Sequence, residues 1–184
     1  KVQGRFNEFA GDFVFDPAAP ETWSVEAVVQ AGSIDTNEPN RDKHLRSADF
    51  FDTEQFPTLS FKSTDVTDVT LEGAKLHGNL TIHGVQKPVV FDLEIHGVGE
   101  DPWGNKRSGF TATTTIQRKD FGLSWNKALE TGQVLVGEEV QITLEVESKE
   151  SGIELCVTDQ GIGLADNEKQ EIFSRFYRVK NELT

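Results

Sequence analysis

Sulfur-containing residues are scarce in this sequence of 184 residues, which has one Cys and no Met. The single Cys156 excludes a disulfide bond within the chain and a metal site built from several thiolates. No apolar run approaches the roughly 18 residues that a membrane-spanning helix requires. The chain opens on Lys1-Val2-Gln3-Gly4 without an apolar signal region. We therefore expect a periplasmic or secreted protein if a signal peptide has been lost, and a cytoplasmic one otherwise.

Basic residues are also few. The sequence has 18 Lys and Arg against 31 Asp and Glu, which gives a net charge of -13. A surface of this sign repels nucleic-acid phosphates and anionic lipid headgroups. The charge therefore predicts no nucleic-acid partner and no binding to an anionic membrane surface. Its simplest explanation is that it keeps the protein in solution.

Apolar and polar residues alternate along most of the chain from Gly4 to Ser148. The alternation is regular in 23–29, 76–82, 89–95 and 140–146, where every second residue is apolar. This period of two is typical of strands that bury one face. Glycine-rich turn signals separate the segments, and no helix of comparable length intervenes. The pattern predicts a mainly β fold, either a sandwich or a barrel.

One segment breaks this alternation. Residues 40–51 carry mixed charges followed by Phe50-Phe51, which predicts a short helix or helical turn across the sheet. Leu45, Phe50 and Phe51 are the expected inward contacts. The segment is either a lid or a packed connector.

The pattern changes again after Ser148. Ile153, Leu155 and Val157 predict one more short strand, followed by a glycine loop and by apolar residues at helical spacing between Ile172 and Tyr177. A strand, a loop and a helix do not continue a series of antiparallel strands. We therefore predict a domain boundary that separates residues 1–148 from an appendage at 149–184.

Short motifs in residues 1–147 agree in order and spacing with one known family. They are Gly4–Phe9, Ser33–Asn37, Arg41-Asp42, His44–Ser47, Asp49–Asp52, Phe56-Pro57, Phe61–Ser63, Gly78–Val85, Lys87–Val89 and Arg118–Gly122. This region resembles the YceI family of lipocalin-like barrels that bind polyisoprenoids. The resemblance implies an antiparallel barrel that holds an isoprenoid tail in its interior, with no catalysis and no other cofactor. A homodimer is compatible with it.

The lining that the resemblance implies is apolar. Its members are Val25, Ala27, Phe50, Phe51, Phe61, Leu80, Ile82, Phe91, Leu93, Phe110, Phe121, Ile142 and Leu144. Family members begin with one more strand, which is missing here, so we expect an open seam with unpaired edge groups. A barrel of eight strands is just wide enough to be filled by side chains or to hold one slim ligand. A structural β-domain with a filled core therefore stays an alternative.

No catalytic or metal-binding constellation accompanies these motifs. His77, His83 and His96 alternate with apolar neighbours, which places them on polar strand faces. Their spacing is not that of zinc ligands, and no Gly-x-Ser-x-Gly nucleophile motif occurs. The sequence predicts neither a metal site nor an enzyme.

A second resemblance covers residues 152–179. Val157–Leu164 and Ile172–Val179 resemble the first glycine box and the phenylalanine box of sensor histidine kinase ATP-binding domains. The resemblance implies that Asp159 binds the adenine amino group, and that Gly161 and Gly163 let the backbone approach the nucleotide. The magnesium-binding helix, the second glycine box and the phospho-accepting histidine are missing, and so short a segment cannot fold alone. We therefore expect a vestigial fragment from a chimeric or truncated gene, although an ATP-binding module is an alternative function.

Overall fold

The computed structural model describes residues 2–100, 102–104, 106–127, 136–149 and 152–156. The strands are β1 (Arg5–Phe6), β2 (Phe9–Val14), β3 (Ser24–Gln30), β4 (Ile34–Asp35), β5 (Thr58–Thr67), β6 (Gly73–Ile82), β7 (Val85–Glu100), β8 (Lys106–Gln117), β9 (Glu139–Lys149) and β10 (Gly152–Cys156). One α-helix, α1 (Pro39–Arg46), and three 3-10 turns at Pro20–Thr22, Ala31–Ser33 and Arg118–Phe121 complete the elements of the described residues. The predicted mainly β fold is confirmed.

Eight of these strands form one antiparallel sheet in the order β2-β3-β5-β6-β7-β8-β9-β10. The first two strands belong to different sheets, because β1 pairs with β4 in a separate small sheet while β2 pairs with β3. The backbone amide of Asn7 donates to the Ser33 carbonyl at 3.2 Å where the chain passes between the two sheets. The sheet curls around its apolar face, which alternation along each strand keeps inward.

The β6–β7 hairpin illustrates how local sequence fixes the register. His83 and Gly84 form its two-residue loop, with φ of 51° and 71°. Positive φ at both central residues is the geometry of a type I′ turn, which matches the right-handed twist of the strands. The turn pairs Ile82 with Val85, and the register then places Leu76 opposite Phe91.

The core lies on the inner face of β5, β6, β7 and β8. Phe91 is 1% exposed and Phe61 is 5% exposed, and their rings meet edge to face with centroids 5.1 Å apart. Leu93, Ile142 and Leu144 pack against the same cluster. The predicted inward set is therefore confirmed. Val140 departs from it, since it is 40% exposed at the beginning of β9.

Helix α1 lies at the end of the sheet where the β6–β7 hairpin also turns. Glu38 caps the helix, because its carboxylate accepts from the amides of Asn40 at 3.2 Å and Arg41 at 2.6 Å. The helix ends at Arg46, and turns continue the chain through the buried Phe50. The prediction of a short helix within residues 40–51 is confirmed. The observed helix begins one residue earlier, at Pro39, and ends at Arg46.

Hydrogen bonds from Arg46 fasten α1 to the sheet. Arg46 donates to the carbonyls of Gly32 at 2.7 Å and Ile34 at 2.6 Å. Asp42 is buried and accepts from the amide of Thr36 at 2.9 Å. These contacts favour a packed connector over a lid.

Strand β10 is the predicted short strand after Ser148. It pairs antiparallel with β9, with Gly152 opposite Lys149 and Cys156 opposite Glu145. Cα atoms of β10 also approach those of edge strand β2 to within 8 Å. The sheet therefore extends past the predicted domain boundary, which stays a prediction. No helix among the described residues is long and apolar enough to cross a membrane.

Candidate functional site

The predicted lining residues fall into two groups in the structure. Phe50, Phe61, Leu80, Ile82, Phe91, Phe110 and Phe121 are buried. Val25, Ala27, Phe51, Leu93, Ile142 and Leu144 are half-buried. The first group fills the interior, and the second faces the interior but keeps part of its surface open. As ligand-binding residues, both groups remain predictions.

Register shows that most of the half-buried group belongs to a larger apolar surface. Val25 pairs with Phe13, and Leu144 pairs with the buried Ala112. Directly paired residues share a face of the sheet, so the inward-facing residues of β2, β3 and β9 can be assigned. We call this set the edge lining, and it consists of Phe9, Phe13, Val25, Ala27, Val29, Ile142, Leu144 and Val146, all half-buried.

The edge lining lies on the strands nearest the two edges of the sheet. β2 is one edge, β3 follows it, and β9 is next to the other edge strand, β10. The inner face of β6 is buried, as Leu76 shows, and Phe91 of β7 is buried beside it. The half-buried apolar inner surface therefore includes the edge lining together with Leu93 and Ile95 of β7. Sequence reasoning missed Phe9, Phe13, Val29 and Val146, although the period of two was the available signal.

Aromatic side chains close the interior at the end that carries the β7–β8 hairpin. Phe15 contacts Trp23 with ring centroids 4.5 Å apart and Phe110 with centroids 4.8 Å apart. Phe13 also contacts Phe110, at 5.5 Å. The Trp23 indole donates to the Asp16 carbonyl at 2.6 Å, which fixes its ring.

A second aromatic group lies at the α1 end. His44 contacts Phe50 and Trp125 with ring centroids 5.0 Å and 4.7 Å apart, and its Nε2 lies 2.8 Å from Oδ2 of Asp49. Phe6 contacts Phe51 at 5.7 Å. Both ends of the apolar interior are thus bordered by aromatic rings.

A cavity of about 280 Å³ opens beside β2, β3 and β5. Phe13, Val14 and Val25 line it together with polar residues, and the paired Asp12, Glu26 and Lys62 among these belong to the outer face of the sheet. The volume is near the lower end of small-molecule sites, which begin at about 300 Å³. Val25 is the member of the predicted lining that borders this cavity.

The histidines are spread over the sheet. Nε2 of His77 lies 2.9 Å from the Thr67 hydroxyl, and Nε2 of His96 lies 2.7 Å from the Thr111 hydroxyl. The His83 ring contacts Phe56 with ring centroids 4.5 Å apart. Among the residues that the structure describes, no group of three His, Cys, Asp or Glu side chains has the geometry of a metal site. The predicted nucleotide-binding residues Asp159, Gly161 and Gly163 lie outside the described residues.

A curled antiparallel sheet around an apolar interior, with aromatic rings at both ends, defines a lipocalin-like β-barrel protein. The chain belongs to the YceI-like domain family, whose sequence model matches residues 1–148. The family match ends there and lends no support to the kinase resemblance of residues 152–179.

Curated relatives agree with this assignment. A UPF0312 protein of Vibrio cholerae is 48% identical over 122 residues, which make up 66% of this chain and 65% of the relative. A UPF0312 protein of Shewanella baltica is also 48% identical over 122 residues, or 64% of its length. The match thus covers somewhat less than two thirds of these relatives.

Solved structures share the fold. A YceI protein of Campylobacter jejuni superposes with a TM-score of 0.71 at 30% identity, covering 82% of this chain and 85% of that one. BcnA of Burkholderia cenocepacia superposes with a TM-score of 0.69 at 22% identity, covering 80% of this chain and 92% of that one, and is similar in fold alone.

Proposed function

We propose that this protein binds a long isoprenoid lipid, of polyprenyl or quinone type, and carries or stores it without catalysing a reaction. One observation supports the proposal above the others. The residues of the edge lining on β2, β3 and β9 are apolar yet only half-buried, whereas the inner face of the central strand β6 is buried along its whole length. An apolar surface that is concave and open to solvent is suited to a slim hydrocarbon chain.

The residues of the edge lining fit a branched hydrocarbon better than a polar ligand. Its members carry no charge and no hydrogen-bonding side chain. Affinity would therefore come from apolar area removed from water, at roughly 25 cal/mol per Å². Phe9 and Phe13 would cover the tail from the β2 side, opposite Ile142 and Leu144 on β9.

A filled core is the second candidate, and the ring packing favours it. Phe61 meets Phe91 at 5.1 Å, and Phe13 meets Phe110 at 5.5 Å, so side chains already occupy much of the interior. In that case the domain would be structural, and the edge lining would only border the core.

A fluorophore whose emission rises in apolar surroundings separates the two candidates. Geranylgeraniol should displace such a probe from the protein, and organic extracts of the purified protein should contain an isoprenoid by mass spectrometry. A filled core would give neither probe uptake nor extracted lipid. The extract also identifies which isoprenoid is bound.

The proposed function implies a cellular compartment and involves residues 1–148 without the appendage at 149–184. We propose a periplasmic or secreted carrier where a signal peptide precedes this sequence, and a cytoplasmic one otherwise, with no nucleic acid as partner. The kinase-like residues 152–179 have no catalytic role in it. The match covers 65% of the Vibrio cholerae relative. Attributing the function of the whole relative to this chain is therefore likewise a proposal.

A further inference from the structure

Strand β10 forms one edge of the main sheet and lies outside the part of the chain that matches the family. The family match ends at residue 148, whereas β10 comprises Gly152–Cys156. It pairs with β9 from Lys149 back to Glu145. Within the described part of the chain, residues 139–144 of β9 pair with β8 alone. β10 therefore covers the part of β9 that is nearer the β7–β8 hairpin.

The seam between the two edges of the sheet is narrow where β10 is present. Cα atoms of β10 approach those of β2, the other edge strand, to within 8 Å, yet these two strands are not paired. Paired strands are about 4.8 Å apart, so at most about 3 Å of free width remains between the two edges. Non-bonded carbon atoms need about 3.5–4.0 Å, so a hydrocarbon chain cannot pass sideways between β2 and β10.

Release of β10 from β9 would widen this seam by one strand. β9 would then be the edge of the sheet, and the free width would grow by about 4.8 Å, to roughly 8 Å. Val146 of the edge lining is on the part of β9 that β10 covers, and Phe13 of the edge lining is on β2. The widened seam would therefore open both sides of the edge lining to a tail that arrives sideways.

The short pairing of β10 makes it the strand that leaves the sheet most easily. β10 is held to β9 over five residues, whereas β2 is held to β3 over six and β9 to β8 over eleven. Edge segments with few backbone hydrogen bonds open at low free energy. Both ends of the interior are bordered by aromatic pairs, Phe15 with Trp23 and Phe50 with Trp125. The seam is therefore the route that one moving strand can open.

We propose that β10 is a gate strand, which leaves β9 to admit a hydrocarbon tail sideways to the edge lining and pairs again to retain it. This inference rests on the proposed function and goes beyond it, because there residues 1–148 alone hold the lipid. The gate acts on the rates of uptake and release and not on the contacts of the bound tail. Kinetics at unchanged affinity therefore test it.

A disulfide that fixes β10 on β9 tests the gate in the full chain. Glu145→Cys places a second cysteine opposite Cys156, the one cysteine of the sequence, so a single disulfide can form. Opposed residues of antiparallel strands have Cα atoms about 4.5–5.5 Å apart, within the roughly 4.4–6.8 Å that a disulfide spans. Glu145 alternates with Leu144 and Val146 and is not part of the edge lining.

The oxidised Glu145→Cys protein should release geranylgeraniol at least about tenfold more slowly than the same protein after reduction. Its Kd should change by less than about twofold, because the disulfide slows uptake and release alike. Stopped-flow displacement with the fluorophore measures the rates, and equilibrium displacement measures Kd. Equal release rates in the oxidised and reduced forms would overturn the gate and leave the lipid function intact.

A matched disulfide in the centre of the sheet controls for general stiffening. Thr81→Cys with Gln86→Cys joins another directly opposed pair, on β6 and β7, and Cys156→Ser removes the third thiol. This protein should release geranylgeraniol at the same rate in both redox states. If oxidation slows release as much here as in Glu145→Cys, the slowing does not come from β10 and the gate is contradicted.

The disulfide also reports the position of β10 independently of any lipid. Thiol titration should show that an oxidant joins the cysteines of Glu145→Cys as completely as those of the control protein. Two free thiols in Glu145→Cys alone would place β10 away from β9 and overturn the gate. Failure of geranylgeraniol to bind the unaltered protein, with the disulfide formed in the variant, would instead overturn the proposed function and the gate with it.

Proline substitution in β10 should have the opposite effect. Glu154→Pro with Leu155→Pro removes a ladder donor whichever of the two amides faces β9, because proline has no N–H group. Weaker pairing should make release of geranylgeraniol at least about threefold faster. An unchanged release rate would contradict the gate, and this result decides the matter if Glu145→Cys does not fold.

Discussion

The rings of Phe13 and Phe110 meet edge to face, with centroids 5.5 Å apart and planes at 76°. Phe13 is on edge strand β2, and Phe110 is on β8, with β3, β5, β6 and β7 between them in the sheet. Two residues so far apart in strand order can touch only if the sheet curls until its inner faces meet. The pair therefore defines how far the sheet is closed at this end.

Double-mutant analysis of this pair should detect the closure in solution. Phe13→Ala and Phe110→Ala should couple by about 0.5–1.5 kcal/mol, as contacting aromatic rings do. Urea unfolding of the two single variants and the double variant measures the coupling. Phe13→Ala combined with Phe56→Ala at the opposite end should be additive, and additivity for Phe13 and Phe110 as well would show that the sheet is open there.

Core packing makes Phe91 the most sensitive position. It is 1% exposed and packs on Phe61, so Phe91→Ala should lower the free energy of unfolding by about 3–5 kcal/mol. Val90→Ala is the neighbouring control on the outer face, where Val90 is 40% exposed, and should change stability by less than about 1 kcal/mol. Similar losses in the two variants would contradict the assigned orientation of β7.

Much of this fold can be predicted from local sequence, because strand orientation depends only on alternation. Phe91 and Leu93 alternate with Asp92 and Glu94, and the structure turns the apolar members inward, with Phe91 buried and Leu93 half-buried. The His83-Gly84 turn is equally local, since its type depends on residues that tolerate positive φ.

Features that depend on distant parts of the chain were not predictable. β1 pairs with β4 rather than continuing into β2, and this depends on the position of Ser33. The partial exposure of Val25 depends on how closely the two edge strands of the curled sheet approach each other. The sequence presents Arg118 only as part of the motif Arg118–Gly122. Its burial depends on distant residues such as Gly137, whose carbonyl accepts a hydrogen bond from Nε of Arg118.

Ligand uptake should depend on which face of β3 is altered. Val25 belongs to the edge lining, and Val28 on the same strand is 38% exposed on the outer face. Val25→Asp should weaken geranylgeraniol binding by at least about tenfold, because a carboxylate would be desolvated against hydrocarbon. Val28→Asp makes the same chemical change and should leave binding unaltered in the probe displacement assay. Equal effects of the two substitutions would place the ligand elsewhere.

Asp35 should make stability depend on pH in the acid range. The backbone amide of Asn37, at 2.8 Å from Oδ1, is the main cause that holds the pKa of this carboxyl below its usual 3.8, and Asn7 and Arg5 add to it against the opposing effect of burial. A depressed pKa in the folded state stabilises the protein above the unfolded value, and this contribution is lost as pH falls through the folded pKa.

Asp35→Asn should therefore destabilise the protein at neutral pH and differ less from the unaltered protein below about pH 4. Urea unfolding at a series of pH values measures the difference, and Asp12→Asn controls for removing one negative charge at an exposed site. A difference that stays constant from pH 7 to pH 3 would contradict the assigned role of Asp35.

Tail length is the variable that most directly tests an isoprenoid ligand. Each buried CH₂ is worth about 0.8 kcal/mol, so one prenyl unit contributes on the order of 3 kcal/mol before the cost of ordering a flexible chain. If ordering removes half of this, each added unit should strengthen binding by about tenfold, at 1.4 kcal/mol per decade.

Geraniol, farnesol and geranylgeraniol form a matched series, because they share one headgroup and differ only in the number of units. Probe displacement should give affinities that rise stepwise along the series, and Val25→Asp should lower the gain per unit while Val28→Asp leaves it unchanged. An affinity independent of tail length would favour the filled core, because a surface that recognises only the hydroxyl end cannot distinguish these three alcohols.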